Sequence, residues 1–447
     1  MMKFDLREIM EVVDMLWRED LDIRSVTLSL NTLFALSDSQ ERTLEKIRGI
    51  RGIASRFVET TREVEERLGV RVVTKRLAVS PVEYFLEPIP TMDFALKLGG
   101  ELDGVAKASG ADYVSGFSAF VERGEGRGAR VALENLARVM NSTSRLSGSI
   151  NAASTVSGLN AEAVRTFTHQ LFLMEPHAAS RVSIMCNIPP DSPFVPSAHH
   201  GRGMPNSMVS VAVSGPGVIA SAVRRARPGS FQQLHEVIKV SAFKVTRLGE
   251  LVGRWVSEEL GVPMGVVDIS VAPSPKVGDS VAEILEAMGL EKAGANGTVA
   301  ALALMMDAVK KGGAMASNLV GGLSSTFIPV SEDSIMSLRV KEGTLSLSDL
   351  LAMSAVCNSG IDMVGVSRSQ GEERVMGLIL DVLSMGLVLG KILGVRVIPL
   401  DMEPGEEVDM GGLLGKLVVA KLKDPDPSRF VSFWGFMPTP LRRLDMG

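Results

Sequence analysis

Apolar side chains recur at Leu6, Ile9, Met10, Val13 and Leu16, a spacing that lays one stripe along a helix over Asp5–Trp17. The period then changes to two. Ile23–Leu30 places Val26, Leu28 and Leu30 between Ser25, Thr27 and Ser29, which predicts a strand with one more polar face, Arg24 lying near its start. Ser37, Asp38 and Ser39 offer N-caps to a charged helix running to Leu68, where Gly69 closes it. The alternation continues through a strand Val70–Val79, a helix Met92–Ala108, a strand Tyr113–Phe120 and a helix Ala129–Met140. Further strands are predicted at Gly148–Ala153, Arg181–Ile188, Met208–Ser214, Val266–Val271, Ala314–Val320, Asp362–Val366 and Val395–Pro399. Roughly ten strands alternating with helices, and no linker or low-complexity stretch between them, predict one parallel-type α/β domain over 1–447, closed or doubly wound.

Composition narrows the partners. With 447 residues, 45% of them hydrophobic and 22% charged, the chain can bury a large core and is not disordered. The net charge is −5, and the densest basic cluster, Arg224, Arg225 and Arg227, has no interleaved aromatics, so nucleic acid is not expected as a partner. The first residues carry Asp5 early and no apolar run, and read as the start of the fold and not as a targeting signal. The apolar stretch Val375–Leu400 is broken by Asp381, Lys391 and Arg396, which suits a buried helix and strand and not a membrane span. Two cysteines, Cys186 and Cys357, form no Cys-x-x-Cys motif and no disulfide framework, which suits a reducing cytoplasm. Charges thin out between Gly203 and Gly365, which places the expected functional half there.

Ligands of α/β folds gather where strands end and helices begin. Ser214-Gly215-Pro216-Gly217 follows a strand and opens a helix, so its free N–H groups can take a carboxylate or phosphate; it reads equally as a plain turn. His199-His200 sits in a Pro-rich loop, where His200 is a candidate base or ligand and otherwise a loop histidine. Asp268 lies in an apolar strand and must pair with a cation or accept backbone hydrogen bonds. Asp279 or Ser280 reads as the N-cap of a helix through Met288. Ser317, Asn318 and Gly322 belong to a Gly- and Ser-rich loop that a ligand can approach; Ser331 reads as its closing N-cap, with Glu332 and Asp333 as carboxylates but no histidine near enough in sequence for a metal site. Cys357 stands near the end of a helix from Ser348 to Gly360, a position that disfavours a thiolate. Asn151 and Ser154 end a strand, and Lys244 with Arg247 share a helix face that could clamp an anion or simply be solvated.

Several longer words carry a resemblance. Asp22-Ile23-Arg24, Gly116-Phe117-Ser118-Ala119, His200-Gly201, Val213-Ser214-Gly215-Pro216-Gly217, Pro273-Ser274-Pro275, Val277-Gly278-Asp279-Ser280-Val281, Lys310-Lys311-Gly312-Gly313, Phe327-Ile328-Pro329-Val330-Ser331-Glu332-Asp333 and Gly360-Ile361-Asp362-Met363 occur in one order through nearly the whole chain. In them the chain resembles uncharacterised protein family two-hundred-and-ten, also called domain of unknown function seven-hundred-and-eleven. That resemblance implies a ten-stranded α/β barrel of the pyruvate formate-lyase and anaerobic ribonucleotide reductase type, a homodimer, and an association with a small ACT-domain protein. It implies no reaction. The radical enzymes carry a C-terminal Gly-Tyr, whereas the tyrosines here, Tyr84 and Tyr113, each follow an acid, and Cys186 and Cys357 are not adjacent. Where the family resemblance implies the word Met-Ala-Cys-Asn, this chain has Ser317.

Two functions follow as expectations. One is a non-radical enzyme acting on a small anionic metabolite, a carboxylate or phosphorylated compound, with His200, Asp268, Asn318 and Cys357 as candidate catalytic groups. Its ligand contacts would come from Ser214, Gly215, Gly217, Asn151, Ser154, Ser317, Gly322 and Arg247. The other is a metabolite-binding or regulatory protein working with an ACT-domain partner. The residues point to no particular cofactor.

Overall fold

The computed structural model describes residues 21–440 except 191, 204, 326 and 327. The helix expected over Asp5–Trp17 lies outside the described residues. Fourteen strands join one sheet network: β1 Ile23–Leu30, β2 Val72–Val79, β3 Tyr113–Ser115, β4 Ala119–Phe120, β5 Leu146–Ser154, β6 Gly158–Asn160, β7 Val182–Cys186, β8 Ser207–Ser214, β9 Met264–Ala272, β10 Gly360–Ser367, β11 Leu393–Leu400, β12 Glu407–Asp409, β13 Lys416–Ala420 and β14 Phe436–Met437. The main path runs β12-β13-β10-β11-β7-β5-β3-β2-β1-β8-β9.

The fold is a mixed α/β structure, parallel through its central block and antiparallel at two joins. Strands β1, β2, β3, β5 and β7 run parallel to their neighbours within that block. Both outer joins, β1 to β8 and β7 to β11, are antiparallel, and beyond them β8 with β9 and β11 with β10 are parallel again. Two isolated parallel bridges lie past these strands, Val267 to Val320 and Pro329 to Asp362. The main buried apolar core draws on residues from Leu21 to Val431, and a small second cluster joins Met185, Ile188, Ala272 and Leu323.

Two local expectations change. The strand expected over Tyr113–Phe120 is split into β3 and β4 at Gly116, whose φ of 138° and close approach to Val79 admit no side chain without strain. The strand expected over Ala314–Val320 is instead the end of a helix, Thr298–Ala316, with only Val320 left to bridge β9. Two glycines of this helix are contact points: a Cβ at Gly312 would lie 2.3 Å from the Lys239 carbonyl oxygen, and one at Gly313 would lie 2.4 Å from Ile269. They let this helix seat against the long helix Phe231–Leu260 and against β9. Among the described residues no helix is long and apolar enough to cross a membrane.

Candidate anion site

Arginines stand on buried strands, where an unpaired charge is costly. Arg24 on β1, Arg76 on β2, Arg181 just before β7 and Arg396 on β11 all line one cavity of about 70 Å³. Tyr113, Asp268, Ser270 and Glu332 add polar groups, while Phe194, Val195, Leu323, Leu413 and Leu414 add apolar ones. Each of these arginines is at most 9% exposed.

Three of the four are spoken for. Glu332 bridges two of them, accepting from Arg24 with one oxygen and from Arg396 Nη2 at 3.1 Å with the other. Arg396 also makes a forked pair with Asp362, at 2.6 and 2.7 Å. Burial pulls the Arg396 pKa down, but Asp362 and Glu332 outweigh it and hold the group above its ordinary value. Arg181 donates to backbone carbonyls, among them Met140 at 2.7 Å, Thr143 at 2.8 Å and Leu146, so it ties helix ends and strand starts together.

Arg76 differs. Its Nε donates to Thr74 Oγ1 at 2.8 Å and its Nη1 to the Pro193 carbonyl at 3.3 Å, both neutral oxygens. Among the described residues no carboxylate lies within ion-pair distance of it, and its Nη2 has no hydrogen-bond partner. Burial first, and Arg24 second, push its pKa down to about 10. Among the described residues Arg181 and Arg76 both lack a carboxylate partner, but the Arg181 donors are filled by carbonyl and hydroxyl oxygens, whereas Arg76 keeps Nη2 without an acceptor.

Asp268 lines the same cavity. Burial pushes its pKa up, against hydrogen bonds from Ser270 and from the Leu323 and Ser324 amides. Those amides donate to it at 2.9 and 3.1 Å, and the Ser270 amide at 2.8 Å. Its carboxylate therefore clamps the loop that begins at Gly322, the backbone solution to a buried acid.

The other expected residues are dispersed. Ser214 Oγ donates to the Ala272 carbonyl at 2.9 Å, and Gly215 begins the helix Pro216–Ala226. The Gly217 amide donates to Asp279 Oδ1 at 3.4 Å, so the protein's own carboxylate stands at that helix start. Ser280 is the N-cap of the helix Val281–Ala287, and Asp333, not Ser331, caps the helix Ser334–Lys341. His200 donates from Nε2 to the Pro205 carbonyl at 2.7 Å, leaving Nδ1 buried without a partner. Burial drops the pKa of His199 to about 4. Neither histidine lines the cavity.

Asn318 is exposed, beyond the end of its helix, and Ser317 Oγ accepts from the Leu319 amide at 3.1 Å. Cys357 is buried with Sγ 3.4 Å from Ser359 Oγ; its helix is Leu347–Ser354, shorter than expected because the chain turns before β10. Asn151 donates to Glu122 at 3.1 Å, Ser154 accepts from Val156, and Arg247 bonds Glu250 and the Ala316 carbonyl. Of the expected residues Asp268 and Glu332 line the cavity, with Gly322 beside Asp268. Among the described residues no group of three or more His, Cys, Asp or Glu is placed to hold a metal ion.

Arg76, Arg181 and Tyr113 had no role in the expected site, and Arg396 figured only as a charge interrupting an apolar run. All three arginines, like Arg24, lie outside the half between Gly203 and Gly365. The signal that would have found them is an arginine inside each of several otherwise buried strands.

The family model described as "Uncharacterised ACR (DUF711)" matches residues 14–411. A UPF0210 protein of Sulfurisphaera tokodaii is 55% identical over 446 residues, covering 100% of both chains. One of Acetivibrio thermocellus is 41% identical, covering 98% of both. Among solved structures, an anaerobic ribonucleotide reductase is similar with a TM-score of 0.34 and 9% identity, covering 84% of this chain and 70% of that one. This chain belongs to the DUF711, or UPF0210, family of uncharacterised proteins.

Proposed function

We propose that this protein binds a small anionic metabolite, a carboxylate or a phosphorylated compound, in the arginine-lined cavity. The observation that carries this reading is Arg76: a buried guanidinium bonded only to neutral oxygens, with Nη2 lacking an acceptor, in a cavity lined by four arginines and by the carboxyl groups of Asp268 and Glu332. A buried cation without a counter-charge costs stability, and an anionic ligand offsets that cost when it binds. Calorimetric titration with a panel of small carboxylates and phosphorylated compounds tests it. Saturable one-to-one binding that disappears in Arg76→Met is expected; no binding by any member of the panel would overturn the reading.

A second reading adds turnover. Asp268 lines the cavity, which makes its carboxyl group the candidate proton carrier toward a bound anion. Asp268→Asn should then abolish turnover while leaving affinity within a few-fold, and turnover that persists would remove Asp268 from that role.

The segment between β9 and β10 is, in this proposal, what closes the sheet into a barrel around the cavity. Supporting this, the Val267 amide donates to the Leu319 carbonyl at 2.8 Å and the Val330 amide to Asp362 at 3.0 Å. Slow hydrogen exchange at both amides is expected; fast exchange at either would count against closure.

A further inference from the structure

Building on that anion-binding reading, we infer that Tyr113 is a binding residue, and that the ligand's oxyanion head lies across β1, β2 and β3 on Arg24, Arg76 and Tyr113. These neighbouring strands each bring one donor group to the cavity. Arg76 and Tyr113 are register partners in the parallel pair β2 and β3, so their side chains leave the sheet side by side on one face. Arg24 joins them through an irregularity. Thr27 is the β1 partner of Arg76, and simple alternation would send Arg24 to the opposite face. Arg24, however, is the extra residue where the register of β1 with β8 shifts between Ile23 and Ser25. A bulge of this kind re-aims a side chain, and Arg24 lines the cavity.

All three groups have donors to spare. Arg24 gives Nη2 to Glu332, but among the described residues its Nε and Nη1 have no acceptor. Arg76 Nη2 has none, and neither has the Tyr113 hydroxyl. Arg181 and Arg396, at β7 and β11, are engaged by carbonyls and by Asp362 and Glu332. Burial lowers the pKa of Arg76, Arg181 and Arg396, and Tyr113 opposes it at each, so the Tyr113 oxygen stands within electrostatic reach of all three guanidiniums. A phenol O–H is a directional donor, and its hydrogen bond to an ionised acceptor is stronger than one between neutral groups. A carboxylate and a phosphoryl group share what this cradle recognises, more than one oxygen on a single atom.

Only two tyrosines occur, Tyr84 and Tyr113, so the intact protein labelled with fluorotyrosine gives two fluorine NMR signals, assigned by their loss in Tyr84→Phe and Tyr113→Phe. Titration with acetate and with inorganic phosphate is followed by these signals and by calorimetry. The Tyr113 signal should shift saturably, at the calorimetric midpoint, with whichever anion binds, while the Tyr84 signal stays. That anion identifies the head group. Tyr113→Phe should weaken it by about tenfold or more without moving the urea midpoint, since the hydroxyl has no partner among the described residues. Calorimetric binding with the Tyr113 signal unmoved, or with full affinity in Tyr113→Phe, would overturn this inference and leave the anion-binding reading intact. A lowered urea midpoint would mean that the hydroxyl serves the fold, and would overturn it too. If neither anion binds, this inference falls, and the anion-binding reading falls with it when the whole metabolite panel is also silent.

Discussion

Two places in this molecule present donors to an anion, and they are finished differently. At the start of the helix Pro216–Ala226 the Gly217 amide meets Asp279, so the site the sequence advertises most openly is filled from within the chain. In the cavity, Glu332 and Asp362 pair with Arg24 and Arg396, but among the described residues no such carboxylate is supplied to Arg76. A donor set that the protein satisfies itself belongs to the architecture; one left open in a cavity is available to a ligand. The comparison turns on what each charge costs when its partner is removed.

The largest effect is expected at the satisfied end. Arg396→Met leaves Asp362 and Glu332 buried without their shared cation and should cost about 3–5 kcal/mol in urea unfolding. A near-neutral result would mean that the paired and unpaired arginines are not distinct. Next comes a buried acid whose charge is not welcome. Burial, and then Glu122 and Glu87, raise the pKa of Glu83 from 4.5 to about 7, with the Phe120 amide opposing. Because the folded value lies above the unfolded one, its stabilising contribution is full below pH 4.5 and lost as pH rises through about 7. Across that window the loss is about 3 kcal/mol, and Glu83→Gln should remove it when urea midpoints are compared from pH to pH.

Asp268→Asn should cost about 2 kcal/mol, because the amide cannot accept from Leu323, Ser324 and Ser270 as the carboxylate does. Faster exchange at the Leu323 and Ser324 amides is the accompanying signature. The smallest effect falls on the helix start. Asp279→Asn should change stability by less than about 1 kcal/mol and create no new anion binding, since Asn still accepts from Gly217.

Much of the fold was legible from local period. Ile23–Leu30 is β1 to the residue, and the helix through Leu68 ends at Gly69 with φ 62° as its sequence predicts. Reading failed where a residue answered to a distant neighbour. The strand expected from Ala314 is the end of a helix, which Gly312 and Gly313 let seat against the helix Phe231–Leu260 and Ile269. The cavity was hidden for the same reason. Arg24 and Glu332 are 308 positions apart, and nothing in either local sequence marks them as partners. Asp268 was legible because a carboxylate in an apolar strand is conspicuous alone; Arg76 stands in the strand Val72–Val79 beside Thr74 and Lys75, where one more polar residue does not stand out.

The central claim is that Arg76 is held in the cavity for a ligand and not for the fold. Equilibrium unfolding of the wild-type chain and Arg76→Met, both without added anion, tests it most directly. Exchanging an uncompensated buried cation for an apolar side chain of similar length is predicted to leave stability unchanged or raise it. A loss of about 2 kcal/mol or more would show that the bonds to Thr74 and Pro193 hold the structure together, and would contradict the claim.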